Sequence, residues 1–350
     1  MKKLTLLIFL SLLIVCDVYS QGDNPATLVV DDNQESELAY NKGIESFRKN
    51  DYKKAIVEFT VAISHKKSFY QAYYNRGNTK SKMKDYKAAI IDFNETIKLK
   101  PDYAKAYFGR GYAKIYSQDS KTAVRDFSQA EVLGKKDAKT YYYRGVAKFM
   151  NANYNGALSD YTACLKLAPK DAYAYNDRGS AKRQLENYDG AVSDYKMAIL
   201  NNPKLLVAYV NMGSAKRKMK DFEGAVVDYS AAIKLKEDYY IAYNNRGSAK
   251  FEMKKYDEAA EDFKKTISLN PKYAFAHNNL GTVYMKQKKY KEALQSFNKA
   301  VEINGNFAEA FANRGNAKEM LRDFEGACND WKTAVKLGVK NPKIFLEGCK

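Results

Sequence analysis

The sequence predicts an all-α solenoid of nine helix pairs, and three observations carry that prediction. Glycine recurs with an unbroken period of 34 residues, at Gly43, Gly77, Gly111, Gly145, Gly179, Gly213, Gly247, Gly281 and Gly315. Around these glycines, apolar and small residues recur at spacings of three and four on both sides of a short polar turn, which is the signature of two amphipathic helices. Proline stands at one fixed place near the end of four rows, at Pro101, Pro169, Pro203 and Pro271, where it stops the second helix. With 350 residues, 45% hydrophobic, and only 6 prolines and 19 glycines, the composition excludes a disordered or fibrous chain.

The first element, residues 1–20, has a basic tip (Lys2, Lys3), an apolar run from Leu4 to Val15, and small residues at Val18 and Ser20. This is the pattern of a secretory signal peptide, too short to span a bilayer comfortably, and it predicts a mature chain that begins at Gln21 in the periplasm or cell envelope, or secreted. The rival is a lipoprotein acylated at Cys16, although Val15 is bulkier than the residue usual before such a cysteine. Residues 21–35 carry no period and read as a tether. No other apolar run approaches membrane length, so the mature chain is expected to have no transmembrane segment.

From Ser36 the chain is written in rows of 34: 36–69, 70–103, 104–137, 138–171, 172–205, 206–239, 240–273, 274–307 and 308–340. The recurring glycine stands at place 8. Place 20 is always alanine, from Ala55 to Ala327, and place 24 is always aromatic, from Phe59 to Trp331. Place 27 is always small, as at Ala62, Thr96 and Cys164. A glycine inside a helix costs about 1 kcal/mol relative to alanine. Close approach of the paired helices, with the place-20 alanine opposite, is the expected compensation. Residues 341–350, with Pro342 ahead of Ile344, Phe345 and Leu346, read as a short C-terminal cap over the last row.

A small residue at place 8, alanine at 20, an aromatic at 24, a small residue at 27 and proline at 32 resemble the tetratricopeptide repeat over most of the chain. The resemblance implies a right-handed superhelix whose first helices line a concave face that binds proteins or extended peptides. It also implies a ladder of asparagines at place 6 that grips a peptide backbone; here that place holds Asn75, Asn211, Asn245, Asn279 and Asn313. An amide both donates and accepts, which suits a backbone. The alternative, asparagine as an ordinary solvated helix residue, remains open. In the early rows Tyr74, Phe108 and Tyr142 at place 5 are expected to form an aromatic wall.

The formal charge of +18 suggests an acidic partner. Six rows, however, carry arginine at place 7 and lysine at place 11 together with aspartate at place 23, for example Arg76, Lys80 and Asp92. Row 8 has Leu280, Tyr284 and Ser296 at those places, and row 6 keeps Lys216 and Asp228 but has Met212. Joint loss of all three in row 8 predicts a structural charge cluster joining the two helices of a row. Cys328 and Cys349 are a candidate disulfide stapling the cap, permissible in an exported chain.

Only two histidines, His65 and His277, are present, with no phosphate loop, paired-cysteine motif or nucleophile elbow. No metal, cofactor or catalytic residue is therefore expected. An exported scaffold or peptide-binding module is the first expectation. A binder of an acidic polymer such as a surface glycan, through basic edges, is the alternative, and export argues against nucleic acid.

Overall fold

A computed structural model of the chain describes residues 34–339 and Cys349. The described residues form helices joined by short turns, with no strand among them. The chain divides into two compact units, Met1–Gly190 and Ala191–Lys350. The first holds α1 (Gln34–Arg48), α2 (Tyr52–His65), α3 (Tyr70–Lys82), α4 (Tyr86–Leu99), α5 (Ala104–Tyr116) and α6 (Ser120–Val132). It continues through α7 (Ala138–Met150), α8 (Tyr154–Leu167) and α9 (Ala172–Gln184). The division falls inside α10 (Tyr188–Asn201). The second unit continues with α11 (Leu206–Lys218), α12 (Phe222–Leu235), α13 (Tyr240–Glu252) and α14 (Tyr256–Leu269). It ends with α15 (Ala274–Lys286), α16 (Tyr290–Ile303), α17 (Ala308–Met320) and α18 (Phe324–Lys336).

The helix pairs keep the register of the rows: the first helix runs from place 1 to 13 and the second from about 17 to 30. Helix α1 begins two residues ahead of the first row, so Gln34 and Glu35 are helical rather than tether. The proposed signal peptide, Cys16 and residues 21–33 lie outside the described residues, as does the cap apart from Cys349.

Apart from α9 and α10, the pair in which the division falls, each first helix packs against the second helix of its own pair, and in α1 through α9 each second helix packs on the next first helix. The core is laid down row by row. Ala55, Ala89, Ala123, Ala157, Ala225 and Ala259 are fully buried, as are Phe59, Phe93, Phe127 and Tyr229. The place-8 glycines Gly43, Gly145, Gly213, Gly281 and Gly315 face the aromatic ring at place 24 rather than the alanine at place 20, while Gly247 meets both the Phe263 ring and the Ala259 carbonyl oxygen. A Cβ on Gly43 would stand 2.6 Å from the ring of Phe59, and one on Gly281 2.6 Å from Phe297. The ring, being larger than the alanine, reaches farther across the pair and takes the space that a side chain would need.

One turn joins the helices of every pair. The residue at place 15 adopts positive φ in all nine, from Asn50 (60°) to Arg322 (66°), although none is glycine. The backbone bonds Asp85 N–H to Lys80 O (2.9 Å) and Lys84 N–H to Ser81 O (3.0 Å) close this turn as a Schellman motif, and both recur along the chain. Place 16 then caps the second helix. Asp51, Asp85, Asp119, Asp221 and Asp323 each accept a hydrogen bond from the backbone three residues on. Lys255 and Lys289 stand there without a side-chain cap.

Candidate functional site

The repeated charges are held inside the rows. Arg76 donates from Nη2 to Asp92 Oδ1 (2.7 Å) and from Nε to Oδ2 (3.0 Å), while Lys80 Nζ lies 2.7 Å from Asp92 Oδ2. The fork recurs as Arg110 on Asp126, Arg144 on Asp160, Arg246 on Asp262 and Arg314 on Asp330. Each aspartate also meets its row's lysine, and all five carboxylates are buried. The remaining guanidinium nitrogen reaches back to place 25 of the preceding row: Arg76 to Thr60, Arg110 to Asn94, Arg246 to Ser230 and Arg314 to Asn298. The plane lies over the aromatic at place 4, as with Arg76 over Tyr73 at 5.4 Å.

Place 25 was not singled out in the sequence, yet it varies in step with the arginine. It is a hydroxyl or amide wherever the next row has arginine, and lysine, Lys196 and Lys264, in the two rows that precede Met212 and Leu280. In row 6, Asp228 keeps only Lys216 (2.8 Å), and burial pushes its carboxyl above the usual range.

Places 5 and 6 form a seam between successive rows. Asn75 is 5% exposed and donates to the Tyr40 hydroxyl of the row before (2.7 Å). Asn279 donates to Asn244 Oδ1 (3.0 Å) and Asn313 to Asn278 Oδ1 (2.9 Å). The expected ladder is therefore only partly on the surface: Asn75 is removed from it by burial, and Asn279 and Asn313 have their amide nitrogens engaged. Asn211 is half-buried on α11. Asn245 faces the row that carries Val210 at place 5 and makes no side-chain hydrogen bond among the described residues.

The expected aromatic wall is mostly core. Tyr74, Phe108 and Tyr142 are each less than 9% exposed, packed on Phe93, Phe127 and Tyr161 at ring-centroid distances of 6.0, 5.5 and 5.9 Å. Place 5 lies three residues before the place-8 glycine on the same helix face, so its side chain turns toward the same buried ring. Asp177, at place 6 of row 5, accepts from the Tyr142 hydroxyl (2.7 Å) and from Asn176 (2.9 Å). Burial pushes its carboxyl up to about 6.

A cavity of about 110 Å³ opens between the first helices of rows 1 to 4. Phe93 and Gly109 line it, with Tyr74, Phe108, Tyr112 and Tyr143 around them and Phe47 beside them. Asn78, Ser81, Lys82 and Lys139 bring polar groups to it. Ser81 Oγ is buried and has no hydrogen-bond partner among the described residues. In the second unit a cavity of about 250 Å³ occurs in the same register, five rows later. There Arg217, Phe251, Glu252, Phe263, Asn279 and Thr282 stand at the places of Phe47, Ser81, Lys82, Phe93, Gly109 and Tyr112. The sequence alone signalled neither cavity, except through the lone glycine at place 6.

Cys328 is disulfide-bonded to Cys349, with Cα atoms 5.5 Å apart, and burial pushes the Cys164 thiol up to about 12. His277 meets the Pro271 carbonyl oxygen (3.0 Å). Among the described residues no cluster of three or more metal-ligating side chains occurs, and no helix is long and apolar enough to cross a membrane.

Models of the tetratricopeptide repeat match residues 70–103, 240–273 and 274–307, with further tetratricopeptide-repeat models matching 142–204 and 213–254. Together they cover more than half of the sequence. The chain belongs to the tetratricopeptide-repeat family. No curated protein matches it. Among solved structures, the tetratricopeptide-repeat chain is similar to one in the APC/C hetero-tetramer Cut9–Hcn1, with a TM-score of 0.55 and 16% identity over 82% of this chain and 57% of that one. That likeness bears on fold alone. It is also similar to YrrB, described as a TPR protein with an unusual peptide-binding site, with a TM-score of 0.47 and 23% identity over 53% of this chain and 95% of that one. MamA from Desulfovibrio magneticus RS-1 has a TM-score of 0.47 and 17% identity, over 50% of this chain and 98% of that one.

Proposed function

We propose that the chain is an exported, non-catalytic binding module that holds a protein or extended peptide against the first helices of its rows. The observation that carries this reading is the recurrence of one cavity, in one register, on first helices of both units. The held arginines favour a peptide over an acidic polymer, because their charge is already taken by aspartates within the rows. Of the ladder, Asn245 keeps its whole amide for a ligand backbone, and Asn279 and Asn313 keep their carbonyl oxygens.

Export is part of the same reading. The signal-like residues 1–20 support it, and so does the Cys328–Cys349 bond, since disulfides persist in oxidising compartments. Intact mass from the native host is expected to give a chain starting at Gln21; a lipidated chain starting at Cys16 would replace it with an anchored protein.

Photo-crosslinking residues at Asn78 and Ser248, both at place 9, test the binding surface in cells. They are expected to capture partners that crosslinkers at Val57 and Val227, exposed on second helices, do not. Capture only from Val57 and Val227 would move binding to the other face and end this reading. Steep loss of capture with salt would instead favour the acidic polymer.

A further inference from the structure

We propose that the cavity in the first unit takes one apolar side chain from an acidic peptide segment, with the flanking carboxylates met by Lys139 and Lys82. This rests on the peptide-binding reading above and adds the chemistry of the ligand. At this cavity row 3 alone has glycine at place 6, where the other rows carry asparagine, tyrosine or aspartate. A Cβ on Gly109 would stand 2.7 Å from the ring of Phe93, so the ring occupies the space that a side chain there would need, and both residues line the cavity.

Size selects the anchor. At about 110 Å³ the space is somewhat smaller than the roughly 150 Å³ apolar cavity that admits benzene, which suits a leucine-sized side chain. The rings of Tyr74, Phe108, Tyr112 and Tyr143 give it an apolar wall. Ser81 Oγ, buried with its hydrogen-bonding capacity unspent, is the group a ligand carbonyl would satisfy.

Charge selects the flanks. Among the described residues, Lys82 and Lys139 are the only charged ones lining this cavity, and Lys139 has no acidic partner there. The second unit supplies an internal control. At the same register its cavity has Arg217 for Phe47, Glu252 for Lys82 and Asn279 for Gly109, which removes both the apolar pocket and the uniform positive rim.

The test uses the full mature chain and fluorescent octapeptides with blocked ends, since the anchor is a side chain and not a chain terminus. Three probes suffice: leucine flanked by aspartates, alanine flanked by aspartates, and leucine flanked by lysines. The first is expected to bind, the second at least about tenfold more weakly, as burial of a leucine side chain implies, and the third not to bind. Ser81→Trp sets a side chain larger than Phe251, beside which the second cavity stays open, into the first cavity and should fill it and abolish binding. Lys139→Glu, checked for folding by its thermal melt, should weaken the aspartate-flanked probe about tenfold and improve the lysine-flanked one. Glu252→Lys in the second unit should change nothing. Equal binding of the three probes, or binding that survives both first-unit variants, overturns the proposal. If crosslinks from Asn78 still capture partners in that case, the ligand chemistry is wrong but the binding reading stands. Failure of all probes and all first-helix crosslinks removes both.

Discussion

Asp262 accepts two bonds from Arg246 (2.9 and 2.7 Å) and lies 3.0 Å from Lys250, all in a setting where the carboxylate is 4% exposed. Asp262→Ala leaves two cations near the helix interface with no counter-charge, and is expected to cost about 3–5 kcal/mol in chemical denaturation. Converting the three together to leucine, tyrosine and serine, as in row 8, should recover much of that loss. The seam separates two asparagines that the sequence makes look alike. Asn279→Ala strands the buried Asn244 oxygen and should cost about 1 kcal/mol, while Asn245→Ala should leave the melting temperature unchanged and weaken only ligand binding. Asp177 titrates differently again. Its folded carboxyl, pushed to about 6 by burial, holds a proton more tightly than the unfolded chain does, whose ordinary value is 3.8. Stability contributed by the protonated form is therefore present at low pH and lost as pH rises from about 4 through 6. Asp177→Asn should stabilise the protein at pH 7 by about 1–3 kcal/mol and hardly at all at pH 4, as thermal melts across that range would record.

Second helices α14 and α16 begin after Lys255 and Lys289, where most other rows place an aspartate or asparagine cap. Lys289→Asp supplies the missing acceptor and replaces a cation at the positive end of the helix, and is expected to add about 1 kcal/mol to unfolding stability. The turn before it was hidden from the sequence for a physical reason. Place 15 holds asparagine, lysine, glutamine, alanine, glutamate and arginine in different rows, so residue type gives no sign of the left-handed backbone imposed by the helix ends. Glycine, alanine and aromatic at places 8, 20 and 24 were legible because core packing repeats at one place in every row. The seam was not, because it joins place 5 of one row to place 6 of the next, and aligning rows compares like places only. The cavity was less visible still, since it depends on where the Phe93 ring lies once Gly109 offers no side chain.

Rows of this kind bury their cores against neighbours, so stability in each unit is close to a sum of nearest-neighbour terms. The disulfide adds a tie of a different sort, across 21 residues at the end of the second unit. Thiol counting on denatured, unreduced protein starting at Gln21 is expected to find one thiol, Cys164; three would mean that Cys328 and Cys349 are unpaired. The arginine's reach back to place 25 gives the array a syntax: which row can follow which is fixed at the junction, not within the row. Excising residues 274–307 would splice row 9 onto row 7 and set Arg314 against Lys264, two cations where an acceptor is required. Excising residues 104–137 would set Arg144 against Asn94, a permitted junction of the kind that Arg110 already makes. Changing Lys264 to asparagine should repair the first splice and leave the second untouched. A lineage that gained or lost rows by unequal recombination would thus retain only those copies whose ends agree, and Lys196 and Lys264 at place 25 mark the two junctions at which the next row carries no arginine at place 7.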